Sequence, residues 1–413
     1  MKVDADAAGL DAPRLERISE HLSHRYVDAG RIVGGQVLVA RHGSVGYFRS
    51  FGQLDREHER AVQDDTIWRI FSMTKPITGV ALMSLHERGL FQLSDPVARF
   101  IPEFADLKVR EFGEDGAKTL VDPKRAMTVR DALMHMTGLG WGGRNTPFAA
   151  RAKAGLDSFA AALMNPLDAD WTLETLMEHL AEPPLRFHPG DHWYYSLSTD
   201  VCARLVEVLS GQRFDDYLNE EIFEPLGMVD TAFHVPDEKV DRFAACYARA
   251  ADKSLRLVDD PEQSGYRKQR TFLSGGGGLV STTGDYLRFC QMLCNGGELH
   301  GTRILGRKTV ELMTRNHLPG NGELRGFATP GGYGEVGFDG VGFGLTVAID
   351  LGPVLNQNSG TAGAYMWGGA ASTTFWIDPV EELVVIFMTQ LMPSGTFNFR
   401  GQLKSLVYAA IVD

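Results

Sequence analysis

Cysteine is scarce in this chain, four among 413 residues, which excludes a disulfide framework as the source of its stability. Cys290 and Cys294 stand four apart in "GDYLRFCQMLCNGG", a stretch that reads as helix. No His or Cys pair nearby completes a metal-ligand set, so both read as buried apolar residues and no metal or other cofactor is expected. Long apolar runs are also missing. Nothing approaches the about 20 residues that a membrane-spanning helix needs. The N-terminus, "MKVDADAAGLDAPRLERI", has no charged segment followed by an apolar one, so a cytoplasmic protein off the membrane is expected. Positive charge is in deficit, 41 Lys and Arg against 53 Asp and Glu for a net charge of -12. That balance argues against nucleic acid or an anionic membrane surface as the main partner. Internal repeats and low-complexity linkers are absent too. What remains is an ordinary soluble composition, 44% hydrophobic and 23% charged, long enough for a sizeable core.

Apolar spacing at Leu15, Ile18, Leu22 and Tyr26, with Pro13 at the start, predicts a first helix over about 13–29. Two strands follow, "GGQVLVAR" and "VGYFRSFGQ", joined by His42-Gly43-Ser44 as a hairpin. "HGSVG" in that turn is one residue short of a G-x-S-x-G nucleophile elbow, and a hairpin is the wrong context for one. From Phe71 to about Asp230 the pattern is mainly helical with long polar loops. The last third returns to strands, "VGFGLTVAID", "YMWGGAASTTFWIDP" and "LVVIFMTQLM", the last two made an antiparallel pair by the turn "DPVEE". A closing helix, "RGQLKSLVYAAIV", is placed to pack beside the first. This order predicts an α/β (α+β) fold. Residues 1–70 and 235–413 form one antiparallel sheet with terminal helices, and 71–234 form a mainly helical region within a single domain. The Gly-rich "SGGGGLVSTTGD" lacks the Lys-Ser/Thr ending of a phosphate-binding loop and reads as a loop leading into a helix.

Residues 71–76, "FSMTKP", lie where a strand, "TIWRIFS", gives way to a helix, "ITGVALMSLHERG". Pro76 is tolerated only in the first helical turn, so the helix must begin at Ser72. A hydroxyl there meets the positive end of the helix, and Lys75 lies one turn on, on the same face. A buried lysine in that position can lose its charge and serve as a base. "FHPGDHWYYSLSTDVCARLVEVLSG" adds two tyrosines just before a second helix, expected to be capped by Ser198 or Thr199 and closed by Gly211. A tyrosine so held can relay a proton. Gly368 and Gly369 interrupt "MWGGAASTTFWIDP", which marks a bulge or a close approach by another backbone. A backbone N–H just after them is a candidate oxyanion donor, to pair with that of Ser72. The histidines His135, His188 and His192 raise the possibility of a Ser-His-Asp triad, but no strand-turn-helix elbow accompanies them.

Taken in order, "SMTK", "HMTGL", "WYYSLSTDV", "IFEPLGMVDTAF", "SGGGGLVSTTGDYLRF" and "WGGAASTTFWIDP" resemble the serine β-lactamase-like superfamily. The chain is most similar to the family VIII carboxylesterases, with class C β-lactamases and DD-peptidases more distant, over about residues 10–410. The resemblance implies a single catalytic domain with Ser72 as nucleophile, Lys75 as its partner and Tyr195, not Tyr194, as the family tyrosine. It places Trp367-Gly368-Gly369 where penicillin-recognising enzymes carry Lys-Thr-Gly, with the N–H of Ala370 as second oxyanion donor. Two departures stand out: Leu197 replaces the Asn of Y-x-N, and Trp367 replaces the Lys. Both remove polar or cationic recognition and imply an apolar wall suited to neutral short or medium acyl esters. The expected activity is therefore ester hydrolysis through an acyl-enzyme on a small-molecule substrate. Acyl transfer, a lactamase- or peptidase-like hydrolysis, and a sensor that stays acylated are the alternatives.

Overall fold

The computed structural model describes residues 1–141, 171–330 and 332–413. The part of the expected helical region that falls on 142–170 lies outside the described residues. Helix α1 (Ala12–Leu22) begins with Asp11 accepting from the Arg14 N–H and Pro13 in its first turn, and buries Leu15, Ile18 and Leu22. Strands β1 (Gly34–Arg41) and β2 (Ser44–Asp55) form the hairpin. Its turn residues His42 and Gly43 both have positive φ, 52° and 70°, the pattern of the tight turns that match strand twist. Short β3 (Arg60–Ala61) and β4 (Ile67–Arg69) lead to helix α2 (Thr74–Glu87), then α3 (Val129–Leu133), α4 (Leu173–Ala181) and α5 (Ser198–Ser210). Strand β5 (Val280–Thr282) and helix α6 (Thr283–Cys294) follow, then strands β6 (Val341–Phe343), β7 (Ala348–Asp350), β8 (Tyr365–Gly368), β9 (Thr374–Asp378) and β10 (Leu383–Thr389), and last helix α7 (Phe399–Tyr408). Among the described residues no helix is long and apolar enough to cross a membrane.

Eight of these strands make one antiparallel sheet in the order β6-β7-β8-β9-β10-β1-β2-β3. It joins the two ends of the chain at β10 and β1, where Val37 pairs with Phe387 and Val39 with Val385. Every residue of β1, β9 and β10 is buried, because both faces of the sheet are covered. Thr374 pairs with Phe387 and Phe375 with Ile386, so side-chain alternation sends Phe375 and Phe387 to opposite faces. Phe375 meets Tyr286 of α6 at 5.2 Å between centroids, and Phe387 meets Phe399 of α7 at 4.9 Å. The first and last helices pack together as expected, with Gln402 of α7 accepting from the Tyr26 hydroxyl at 2.6 Å. Cys290 is buried and Cys294 half-buried on α6, both as free thiols.

Three local expectations are corrected. "VGFGLTVAID" is not one strand but β6 and β7, paired as a hairpin. Thr346 takes φ 69° at its turn, a conformation β-branched residues rarely adopt, held because its N–H donates to the Leu133 carbonyl at 3.0 Å. "YMWGGAASTTFWIDP" is likewise two strands, β8 and β9, reversing through 369–373 with Ser372 at φ 67° and its hydroxyl on the Leu391 carbonyl. Neither Ser198 nor Thr199 caps α5. The cap residue is Leu197, without a side-chain bond, and the two hydroxyls turn inward to Thr137 and His135. Gly211, at φ 73°, does close that helix.

Candidate active site

The strand-to-helix junction at Ser72 is tightly built. Strand β4 pairs with β5, Arg69 opposite Val280, and the Ile70 N–H continues the pairing to the Leu279 carbonyl. Phe71 then turns through φ 43°, in the left-handed region that costs a bulky residue energy and collects at functional sites. A single tight turn, Phe71–Met73, passes directly into α2. That helix is buried continuously from Thr74 to Leu85, its polar residues Thr74, Lys75, Thr78 and Ser84 included. Ser72 is thereby fixed at the start of a core helix and is 2% exposed.

Lys75 and Tyr195 converge on it. The Lys75 Nζ lies 3.2 Å from Ser72 Oγ and donates to the Gly276 carbonyl at 2.6 Å. The Tyr195 hydroxyl donates to Ser72 Oγ at 2.7 Å, and its ring passes 4.6 Å from Lys75 Nζ. Tyr194, by contrast, turns away to stack under Arg186 at 4.3 Å. Burial pulls the Lys75 ammonium down to about 8, against the opposing pull of the Asp200 and Glu335 carboxylates. Burial pushes the Tyr195 phenol well above its usual range, helped by Glu335. In this pocket the amine is the group that can shed a proton near neutrality, and the phenol stays a donor.

The turn after β8 comes up against the same junction. Were Gly369 to carry a Cβ, that atom would sit 2.5 Å from the Ile70 carbonyl oxygen, so only glycine permits the approach. The Gly369 N–H is spent on the Thr373 carbonyl at 2.9 Å, while neither the Ser72 nor the Ala370 N–H donates to a backbone carbonyl among the described residues. Two free N–H groups at a helix start and a tight turn can receive a developing oxyanion.

Trp367 and Leu197 are placed differently from the expected apolar wall. Both are 0% exposed. The Trp367 indole packs at a tilt behind Tyr195 at 5.6 Å and edge-to-face with Phe343 at 5.5 Å between centroids, so it backs the tyrosine instead of facing solvent. None of the three histidines hydrogen-bonds Ser72 Oγ, whose partners among the described residues are Lys75 and Tyr195. His135 is used by the Ser196 N–H and Thr199, and burial keeps its imidazole neutral. His188 bridges the Lys124 N–H and Glu111, and His192 packs its ring on Phe187.

Sequence reasoning missed Gly276, Asp200 and Glu335. The four-glycine run 275–278 was the available signal. A Cβ on Gly275 would stand 2.6 Å from the Ala203 Cβ and 3.0 Å from the Thr199 carbonyl, so the run lets the loop slide between α2 and α5. Glu335 comes from an irregular loop and lines a cavity of about 340 Å³ with Tyr333, Thr373, Thr374, Ser394 and Arg400. The cavity adjoins the site through Tyr333, whose ring lies 6.0 Å from that of Tyr195. Arg400 is committed within it, its Nε to Thr374 Oγ1 at 2.9 Å and its Nη1 to the Glu335 carbonyl at 2.8 Å.

A family model described as Beta-lactamase matches residues 20–409. Esterase EstB of Burkholderia gladioli is 30% identical, with 98% of each chain covered. Monacolin J acid methylbutanoyltransferase of Aspergillus terreus is 27% identical over 95% of this chain and 93% of its own. Among solved structures, that of EstCE1, "a hydrolase with promiscuous acyltransferase activity", is 26% identical and superimposes with a TM-score of 0.76 over 98% of this chain and 100% of its own.

Proposed function

Because the chain belongs to the β-lactamase family, we propose that it is a serine carboxylesterase of the family VIII type, acting on neutral short or medium acyl esters. The observation that carries this reading is the convergence of Lys75 Nζ and the Tyr195 hydroxyl on one buried serine oxygen, at 3.2 and 2.7 Å. Ser72 Oγ attacks the ester carbonyl while the Lys75 amine, whose neutral form burial favours, takes its proton. The N–H groups of Ser72 and Ala370 hold the oxyanion as the tetrahedral intermediate forms. Tyr195 gives its proton to the departing alkoxide and is restored from the Lys75 ammonium. Water then attacks the acyl-Ser72 ester by the same path in reverse and releases the acid.

The preference for neutral esters rests on what stands around this turn. Tryptophan occupies the position of the family lysine and is buried behind Tyr195. The Arg400 guanidinium beside Gly368 is committed to Thr374 and Glu335. A carboxylate entering here gives up hydration and, among the described residues, meets cations already engaged, Lys75 with the Gly276 carbonyl and Arg400 with Thr374 and the Glu335 carbonyl. The test is a series of p-nitrophenyl esters of rising chain length, each neutral ester paired with a carboxylate analogue, beside a chromogenic cephalosporin. Higher kcat/KM for the neutral member is expected, with little turnover of the cephalosporin. Equal turnover of both members would refute the substrate class. A second reading, acyl transfer to an alcohol, is favoured by the activities named for the Aspergillus relative and for EstCE1. Ester product formed from an added alcohol at the expense of free acid would support it.

A further inference from the structure

Asp200 has no part in the steps above, yet it is the acidic residue in the first turn of α5, five residues after Tyr195, and it is 0% exposed. A carboxylate so deeply buried needs partners. One oxygen, Oδ1, has two: the Ser274 hydroxyl at 2.6 Å and the Gly276 N–H at 3.2 Å. The other, Oδ2, is buried with no hydrogen-bond partner among the described residues. Both donors belong to the glycine loop, and that loop is pinned to α2 from its other side. Thr78 donates to the Gly275 carbonyl at 2.8 Å, Lys75 to the Gly276 carbonyl at 2.6 Å, and the Leu279 N–H to Thr74 Oγ1 at 3.2 Å. Gly276 therefore stands between the two groups: its N–H is turned to the Asp200 carboxyl, which burial pushes up from its ordinary range, and its carbonyl, in the next peptide unit, to Lys75 Nζ.

We propose that Asp200 is a positioning residue for Lys75: it clamps the loop whose Gly276 carbonyl holds the ammonium, and its charge sets the pH at which Ser72 becomes nucleophilic. The inference rests on the Ser72–Lys75 reading of the site. Among the described residues, the groups facing Lys75 include Ser72 on its own element, the Gly276 carbonyl, the Tyr195 phenol, the Asp200 and Glu335 carboxylates, and the His135 imidazole, which burial keeps neutral. Of these, Asp200 alone also anchors the loop that Lys75 donates to. A negative charge near the ammonium favours its protonated form.

The experiment compares Asp200→Asn with wild type in the pH dependence of kcat/KM for p-nitrophenyl acetate. The substitution keeps the shape and removes the charge. Its acid limb is expected about one pH unit lower than that of wild type, with a plateau about tenfold lower as the clamp loosens. Wild-type and variant limbs at the same pH would overturn the proposal, because a merely structural aspartate changes the plateau without moving the limb. Ser274→Ala covers the case in which Asp200→Asn does not fold. It removes the shorter hydrogen bond to the carboxylate, a bond that favours the ionised form, so less of the Asp200 charge remains and the limb moves in the same direction by less. An unmoved limb and unchanged rate in that variant would equally overturn the proposal. Ser72→Ala is run in parallel: hydrolysis surviving there defeats the reading of the site itself, a result separate from either limb.

Discussion

Replacing Gly369 by alanine adds one methyl group where the turn closes on the junction, against the Thr373 hydroxyl and the Ile70 carbonyl. The new Cβ would lie 2.5 Å from the Ile70 carbonyl oxygen, half an ångström inside the 3.0 Å that Cβ atoms respect. That oxygen cannot swing aside as a flexible side chain would. It accepts the Met73 N–H at 3.0 Å, and its peptide leads directly into Phe71 and Ser72. Gly369 itself has an ordinary φ, so the cost is one of space and not of backbone conformation. Relief must come from moving either the 70–72 junction or the 369–373 turn, and each carries one of the two N–H groups assigned to the oxyanion. Overpacking of this kind costs about 1–3 kcal/mol of stability. A displaced oxyanion donor costs about a hundredfold in turnover. We therefore expect Gly369→Ala to fold, to melt a little below wild type, and to lose about two orders of magnitude in kcat on p-nitrophenyl butyrate with KM little changed. Gly326→Ala is the control, since nothing lies within 4 Å of a Cβ there. Gly369→Ala with wild-type kcat would refute the placement of the oxyanion site.

Other outcomes follow from the same geometry. Tyr195→Phe removes the hydroxyl that meets Ser72 and should lower kcat by about two to four orders of magnitude, whereas Tyr194→Phe, stacked on Arg186, should be mild; steady-state kinetics of the pair checks the assignment. The kcat/KM profile should rise with pH through about 8, where burial has brought the Lys75 ammonium, because the neutral amine is the acceptor. Lys75→Met should be inactive yet melt above wild type at pH 6. The folded protein holds that proton less tightly than the unfolded chain, so wild-type stability rises between about 8 and the ordinary lysine value of 10.5 and the gap in melting temperature should close there. Trp367→Ala should cost about 3–5 kcal/mol in a urea titration, because the indole is wholly packed behind Tyr195.

The elements that could be read from sequence are those specified locally. The α1 stripe, the His42-Gly43 turn and the unbroken apolar run of β10 each carry their own signal, as does the Ser72–Lys75 spacing, which one helical turn converts into contact. The hairpin β6–β7 could not be read this way, since its Thr346 turn is held by the Leu133 carbonyl and by close contact with Gly79 of α2. The same holds for the second layer of the site. Asp200 reaches Ser274 across 74 positions of sequence, and Lys75 reaches Gly276 across 201. No local pattern marks such pairs. Trp367 was legible as a departure from the family pattern, but its role behind Tyr195 depends on packing that the motif does not contain.

The central claim is that a single serine, held between Lys75 and Tyr195, carries the acyl group. It is tested most directly by intact-protein and peptide mass spectrometry after an acid quench of the enzyme turning over p-nitrophenyl acetate. The account predicts one added acetyl group, located on the peptide containing Ser72, longer-lived when deacylation is slowed by Tyr195→Phe and absent from Ser72→Ala. An acetyl group on another residue, or undiminished hydrolysis by folded Ser72→Ala, would contradict it.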